Sequence, residues 1–336
     1  MKTLAQTPIS VLDLVTYPEG GAIGDAFRNS RRLVQAAESW GYRRYWVAEH
    51  HNLDGIASAA TVVLMGYLAE ATGSIRIGSG GIMLPNHAPF IVAEQVGTLE
   101  SIYPGRIDLG LGRAPGTDPL TMRALRRHST GADFDANVAE LMSYLAPAAP
   151  GQAVKAIPGA GLDIPIWILG SSTYSAHLAA AIGRPYAFAS HFAPGDLMPS
   201  LEIYRREFKP SPALSAPYVM VGVPAFGAGT DERAEFLATS MYQRSLGILR
   251  GQRTALQPPV ADMGAVWSQG EALAVAERMA LMVVGGEERL RAGLQQIVEA
   301  TQADELIIAS DAYAFEDRLR SFETIALAAG LPRKID

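Results

Sequence analysis

The chain has 336 residues, 49% of them hydrophobic, with a formal net charge of −6 and no cysteine. That length and apolar content are enough for a large core, in one α/β barrel domain or two smaller ones. The acidic balance, with no basic run longer than Arg31-Arg32, Arg43-Arg44, Arg205-Arg206 and Arg126-Arg127-His128, argues against nucleic acid or another polyanion, and the absence of cysteine excludes disulfides, thiolate metal sites and a cysteine nucleophile. The opening MKTLAQTPISVLDLVTYPEGG lacks the charged, apolar and small-residue regions of a signal peptide. No window approaches the roughly 20 apolar residues of a membrane span. A soluble, cytoplasmic protein without a membrane partner is expected.

In chain order, Ile9–Val15 reads as a first strand, ending in the turn cluster Thr16–Gly21. A helix from about Asp25 to Trp40 follows, with Phe27, Leu33, Val34, Ala37 and Trp40 on one face and Gly41 as its stop. Tyr45–Ala48 is strand two, followed at once by Glu49, His50 and His51, and then by an apolar helix over about Ala57–Ala71. Ile75–Gly78 and Arg106–Leu111 are strands three and four, separated by a helix over Ala88–Ile102. One helix near Asp133–Leu145 precedes the loop PAAPGQAVKAIPGAG. Pro165–Leu169 is strand five, ending at Gly170-Ser171-Ser172 and running into a helix over about Tyr174–Ile182. Tyr186–Ala189 and Pro217–Val223 are strands six and seven, and Thr230 is the N-cap of the next helix. Residues 251–285 read as an insertion containing a further helix. The helix Glu287–Ala300, strand eight at Glu305–Ala309 and a helix over Tyr313–Ala329 close the chain.

Eight strands alternating with helices suit a (β/α)8 barrel in one domain over 1–336 better than an open doubly wound sheet. Polar clusters fall directly after six strands: Thr16-Tyr17, Glu49-His50-His51, Gly80-Gly81, Arg113, Gly170-Ser171-Ser172 and Ser190-His191. In a barrel these meet in one mouth. A histidine after strand two suits a proton donor, acceptor or cofactor hydrogen-bond partner. A metal would need a third ligand, for which His87 and His191 are candidates only by position, and no metal is expected.

Gly110 to Gly116 spells GxGxxxG after the fourth strand with Pro115 inside it, which fails the context of a dinucleotide fingerprint. Arg113 beside those glycines suits either a phosphate or a structural ion pair. Gly170-Ser171-Ser172 at a helix start adds free backbone N–H groups, hydroxyls and a favourable dipole, so a phosphorylated cofactor is expected. Gly78-Ser79-Gly80-Gly81 lacks the lysine of a nucleotide phosphate loop, and its glycines suit a flat ring lying against the main chain. Tyr17, Met83, Phe192, Phe226 and Trp267 are candidates to line an apolar cavity, although such residues near strand ends are more often core.

Four stretches carry a family resemblance: AEHH at Ala48–His51, GSGGIMLPNHAP at Gly78–Pro89, YPGRIDLGLGRAPGTD at Tyr103–Asp118 and WILGSS at Trp167–Ser172. In this order they resemble the bacterial-luciferase-like flavin-dependent monooxygenases, in particular single-chain oxidoreductases of unassigned substrate. The resemblance extends from Ile9 to about Ala328. It implies a (β/α)8 barrel with an insertion near strand seven, binding FMN as FMNH2 supplied by a separate NAD(P)H:flavin reductase. It also implies reaction with O2 to a C4a-peroxyflavin and oxygenation of a small organic substrate. On these matches His50 is the active-site histidine with Glu49 and His51 as neighbours, and Gly80-Gly81 is a non-prolyl cis peptide supporting the ring. Arg113 is the phosphate-binding arginine, joined by Gly170, Ser171, Ser172 and Tyr174. A homodimer is implied as well. Gly112 stands where luciferase has a reactive cysteine, so no role rests on that thiol. The insertion 251–285, with Pro258-Pro259 and Trp267, is expected to act as a lid. Two alternatives stay open: hydride transfer with the deazaflavin F420, and flavin binding without catalysis.

Overall fold

The computed structural model describes residues 2–114, 116–125, 133–252 and 254–333; Pro115 and the basic Arg126-Arg127-His128 run lie outside them. The strands are β1 (Ile9–Asp13), β2 (Arg44–Val47), β3 (Arg76–Ser79), β4 (Ile82–Met83), β5 (Ile107–Gly112), β6 (Ile166–Gly170), β7 (Tyr186–Phe188), β8 (Val219–Gly227), β9 (Val283–Gly285) and β10 (Glu305–Ala309). The helices are α1 (Ile23–Ser39), α2 (Thr61–Glu70), α3 (Pro89–Ile102), α4 (Pro119–Ala124), α5 (Phe134–Leu145), α6 (Thr173–Ala181), α7 (Leu197–Glu207), α8 (Asp231–Leu249), α9 (Gln269–Arg278), α10 (Glu287–Thr301) and α11 (Phe315–Ala329).

Eight strands pair in parallel in the order β10-β1-β2-β3-β5-β6-β7-β8, and β8 returns to β10 through Val221↔Leu306 and its neighbours, closing a (β/α)8 barrel. The mostly apolar strands are covered by helices outside and side chains inside, which is why ISVLD and ELIIA are buried throughout or nearly so. Helix starts follow local chemistry. The Thr230 hydroxyl accepts from Arg233 N at 3.2 Å at the start of α8, and Ser268 with Glu271 forms a capping box on α9.

All eight predicted barrel strands are present. The seventh runs on past Val223 to Gly227 because β9 pairs with its end, Ala225↔Val283. The stretch between Ser190-His191 and Pro217, left without an element by the sequence reading, holds α7. Its Leu197, Leu201 and Tyr204 are buried on one face, while Pro199 sits in the first turn where a missing N–H is tolerated. Residues 251–285 carry α9 and β9 between α8 and α10.

The barrel interior is filled in two layers. At the N-terminal ends of the strands, Arg44 bonds Asp108 (2.7 Å) and Glu305 (3.0 Å), and Arg76 also reaches Asp108 at 2.7 Å. Tyr218 OH adds a bond to Glu305 at 3.0 Å. Each buried carboxylate therefore meets a cation or a hydroxyl, as burial of charge requires. Above lies an aromatic plug. Trp46 and Trp167 pack edge to face at 5.2 Å, Trp167 and Tyr218 at 5.5 Å, and Trp46 Nε1 donates to Asp108 at 3.2 Å. The plug needs glycine beside it: a Cβ on Gly78 would stand 2.5 Å from Trp46 Nε1 and 2.8 Å from Asp108 Cβ.

Gly78→Ala should therefore lower unfolding stability by about 1–3 kcal/mol through overpacking. Gly73→Ala, at a position with nothing within 4 Å of the added Cβ, should leave the thermal midpoint nearly unchanged. Equal midpoints for the two variants would contradict the tight plug.

Candidate active site

Where the plug ends, at the C-terminal side of the barrel, the interior opens into a hollow of about 870 Å³ including its mouth. Leu12, Trp46, Ala187 and Ile307 form its apolar base. One wall is main chain. Gly80 and Gly81 are joined by a cis peptide, as the sequence resemblance implied. A Cβ on Gly81 would lie 2.8 Å from Gly110 O, and one on Gly80 would lie 2.7 Å from Leu12 Cδ1. Gly112, whose Cβ would meet Met83 Sδ at 3.0 Å, extends the same surface. Glycine is thus required by close approach here, and the wall left behind is flat and free of side chains.

A second wall carries the polar groups. Gly170 lets α6 begin tightly against β6, since a Cβ there would stand 2.0 Å from Ser175 Oγ. Ser175 Oγ in turn donates to Ser172 O at 2.8 Å. The first turn of α6 has no side-chain cap from Ser172, which leaves its N–H groups available where Ser171, Ser172 and Tyr174 line the hollow. Arg113, at the end of neighbouring β5, lays its guanidinium 4.0 Å from the Tyr174 ring centre, while Tyr174 OH donates to Asp135. Burial and Asp135 push the Tyr174 hydroxyl pKa up against the pull of Arg113. Arg113 is exposed and makes no ion pair among the described residues. A cation, two hydroxyls and free helix N–H groups fit a phosphate. Gly80, Gly81, Arg113, Gly170, Ser171, Ser172 and Tyr174 all line this one hollow.

The histidine on its wall is His191, after β7. Its ring packs on Phe192 at 4.2 Å between centroids, and Gly222 makes room for it, since a Cβ there would come within 3.2 Å of Nδ1. Nδ1 is buried without a hydrogen-bond partner. Burial, reinforced by the charges of His50, Arg244 and Arg278, brings its pKa down to about 4 despite Asp311. It is therefore a neutral imidazole at physiological pH. The sequence pointed to Ser190-His191 as one strand-end cluster; the orphaned nitrogen was not readable from it.

Glu49, His50 and His51 stand behind the lining rather than in it. The buried Glu49 carboxylate accepts from His51 Nε2 at 2.8 Å, His87 Nε2 at 2.9 Å, Met83 N at 3.0 Å and Asn86 Nδ2 at 3.3 Å. Burial opposes its ionisation, yet the bonds from both histidines, the His87 charge and the Met83 N–H hold its pKa down at about 2. The cluster fixes the end of β4 and the turn after it, and Met83 of β4 lines the hollow. Among the described residues no group of three His, Asp or Glu side chains is arranged to hold a metal. His50 donates its backbone N–H to Ser58 O at 2.9 Å, and its charge is felt by His191. Of the five apolar candidates, Met83 and Phe192 line the hollow. Phe226 is wholly buried among Ala234, Leu237 and Met241, Tyr17 borders a separate depression with Pro18 and Phe315, and Trp267 of the insertion packs on Tyr242 of α8 at 6.1 Å.

Residues 7–305 match the family described as "Luciferase-like monooxygenase". The chain is 53% identical over 322 residues to protein YvbT of Bacillus subtilis (strain 168), covering 95% of this chain and 96% of that one. It is 49% identical over 324 residues to a luciferase-like monooxygenase of Escherichia coli (strain K12), covering 96% of each. The solved structure of apo-MsnO8 superposes with a TM-score of 0.91 at 32% identity, covering 98% of this chain and all of that one. The fold alone is shared with the oxygenating constituent of 3,6-diketocamphane monooxygenase of Pseudomonas putida, solved with FMN (TM-score 0.72, 16% identity, 96% and 97% covered). It is likewise shared with an F420-dependent secondary alcohol dehydrogenase (0.69, 17%, 96% and 99%). No helix among the described residues is long and apolar enough to cross a membrane.

The buried Glu49 cluster generates a pH prediction. A carboxyl whose pKa falls from 4.5 to about 2 on folding stabilises the fold above pH 4.5, and that contribution fades as pH drops toward 2. Glu49→Gln should cost about 2–3 kcal/mol at pH 7, and denaturant titrations should find the gap to the parent closing between about pH 4.5 and 2. A pH-independent gap would remove the ionised carboxylate from the account.

Proposed function

The chain belongs to the luciferase-like monooxygenase family, and on that premise we propose that it uses reduced FMN and O2 to oxygenate a small organic substrate. The observation that carries this reading is one hollow with a flat glycine wall for a ring and a phosphate-type donor set at its side. When bound, reduced flavin supplies the two electrons that split dioxygen between substrate and water. In this reading Arg113, Ser171, Ser172 and the first N–H groups of α6 hold the phosphate, and Tyr174 keeps the guanidinium in place by stacking on it. Gly80, Gly81 and Gly112 give the ring room. His191, neutral and with Nδ1 unpartnered, offers one hydrogen bond to the reacting end of the hollow. His50 stands beside it as the histidine the resemblance marks for catalysis, while Glu49 and His51 keep the Met83 wall rigid.

Among the described residues lining this hollow Arg113 is the one cation, which suits the single phosphate of FMN better than the longer anionic tail of F420. The same reading includes a separate NAD(P)H:flavin reductase as the source of FMNH2, a cytoplasmic homodimer, one barrel domain over 1–336, and residues 251–285 as a lid that keeps water from the reduced cofactor.

Anaerobic titration with FMN, FMNH2 and reduced F420, followed by oxygenated buffer, tests the proposal. The expected result is tightest binding of FMNH2 and slower reoxidation of the bound than of the free flavin. Arg113→Ala should weaken FMN binding by about 10- to 100-fold, the range of a charged hydrogen bond. Tight F420 binding without oxygen consumption, or unchanged FMN affinity in Arg113→Ala, would overturn it.

A further inference from the structure

A second hollow of about 620 Å³, open to solvent, adjoins the first. His191 and Phe192 line both, so they form the partition between them. The second hollow lies at the ends of β1, β8 and β10, where Leu14, Pro224 and Ala309 border it; α8 and α9 supply the rest. In the closed strand order, β1 and β10 stand across the barrel from β6 and β5, which carry the phosphate-type groups. The two sites therefore take different parts of the bound molecules.

Most of this lining is apolar: Leu14, Pro224, Met241, Ile248 and Met279. Its charges do not balance. Arg244 pairs with Asp311 at 2.6 Å, and Asp311 lies 3.6 Å from Arg318, which bonds Asp13 at 2.8 Å. These two arginines and two aspartates compensate one another. Arg278, the last residue of α9, is half-buried and among the described residues makes no hydrogen bond or ion pair. Ser245, buried on α8, likewise has an Oγ with no partner. A half-buried cation and a buried hydroxyl left unpaired in an apolar hollow cost stability unless a ligand engages them.

We infer that the second hollow is the substrate chamber and that the substrate is an organic anion, a carboxylate on an apolar chain, with the carboxylate held by Arg278 and Ser245 and steered by Arg244. The apolar end then points at the His191–Phe192 partition, toward the cofactor hollow. The inference rests on the reading of the first hollow as the flavin site. It gives the insertion 251–285 a chemical task, since α9 brings the recognising cation.

Calorimetric titration of the purified protein, with and without FMN, using hexanoate, 1-hexanol and hexylammonium as probes tests the chamber apart from turnover. Hexanoate should bind at least about tenfold more tightly than either other probe. Arg278→Gln should abolish that preference while leaving hexanol binding within about twofold, and Arg278→Lys should restore part of it. Equal affinity for hexanoate and hexanol in the parent protein would overturn the inference without any variant. A preference unaltered in Arg278→Gln would overturn the assignment to Arg278. FMN binding without a hexanoate preference sinks this inference alone. A hexanoate preference without FMN binding supports the anion chamber and sinks the flavin reading.

Discussion

The constraint on which this molecule depends is the filling of a closed eight-stranded barrel. A parallel barrel of this size leaves an interior just wide enough for side chains, and it must be packed or it collapses. Here Trp46, Trp167 and Tyr218 fill the middle, anchored below on the Arg44–Asp108–Glu305 layer. So much aromatic volume fits only because the facing strands give up theirs. A Cβ on Gly78 would strike the Trp46 indole, and one on Gly80 would lie 3.1 Å from Trp46 Cβ. The glycines of β3 and the loop after it thus serve two ends. Below they admit the plug, and above it they leave a bare main-chain wall.

The same economy governs charge. Buried carboxylates at Asp13, Glu49, Asp108 and Glu305 each have a cation or several donors, and they act as fasteners between neighbouring strand ends and loops. Glu49 shows how the chemistry of a residue changes with its neighbours. Next to two histidines in the sequence it suggests acid–base work, yet in the fold it is a saturated acceptor that braces Met83. Two of the arginines that make no ion pair among the described residues line the two hollows. Arg113 stacks on Tyr174 at the rim of the first hollow, and Arg278 closes the second. An unpaired arginine in a concave site is where an anionic ligand gains most, because the protein has left the partner's place open.

Much of this was legible in the sequence. Each of the eight barrel strands is a short apolar run that breaks into glycine or polar residues, and the barrel follows from their number and from the crowding of polar clusters at their ends. Gly80-Gly81, Arg113 and Gly170–Tyr174 were legible as strand-end groups that meet in one hollow because backbone approach and helix starts leave local marks. Orientation past a strand's end was not. β2 ends at Val47, so its alternation says nothing of where Glu49, His50 and His51 point, and Phe192 and Phe226 could not be told apart as cavity and core. α7 escaped because Pro199 looks like a breaker when its place in a first turn is unknown. The pairing that leaves Arg278 uncompensated joins α8, α9, α11, β1 and the end of β10, and no local pattern encodes it.

The most direct measurement is a crystal structure of the protein with FMN bound. The account predicts the phosphate within hydrogen-bond reach of Arg113, Ser171 and the first N–H groups of α6, the ring against Gly80-Gly81, and the second hollow still open beyond His191 and Phe192. A phosphate seated on Arg278 and Arg244, or a ring outside the glycine wall, would contradict it.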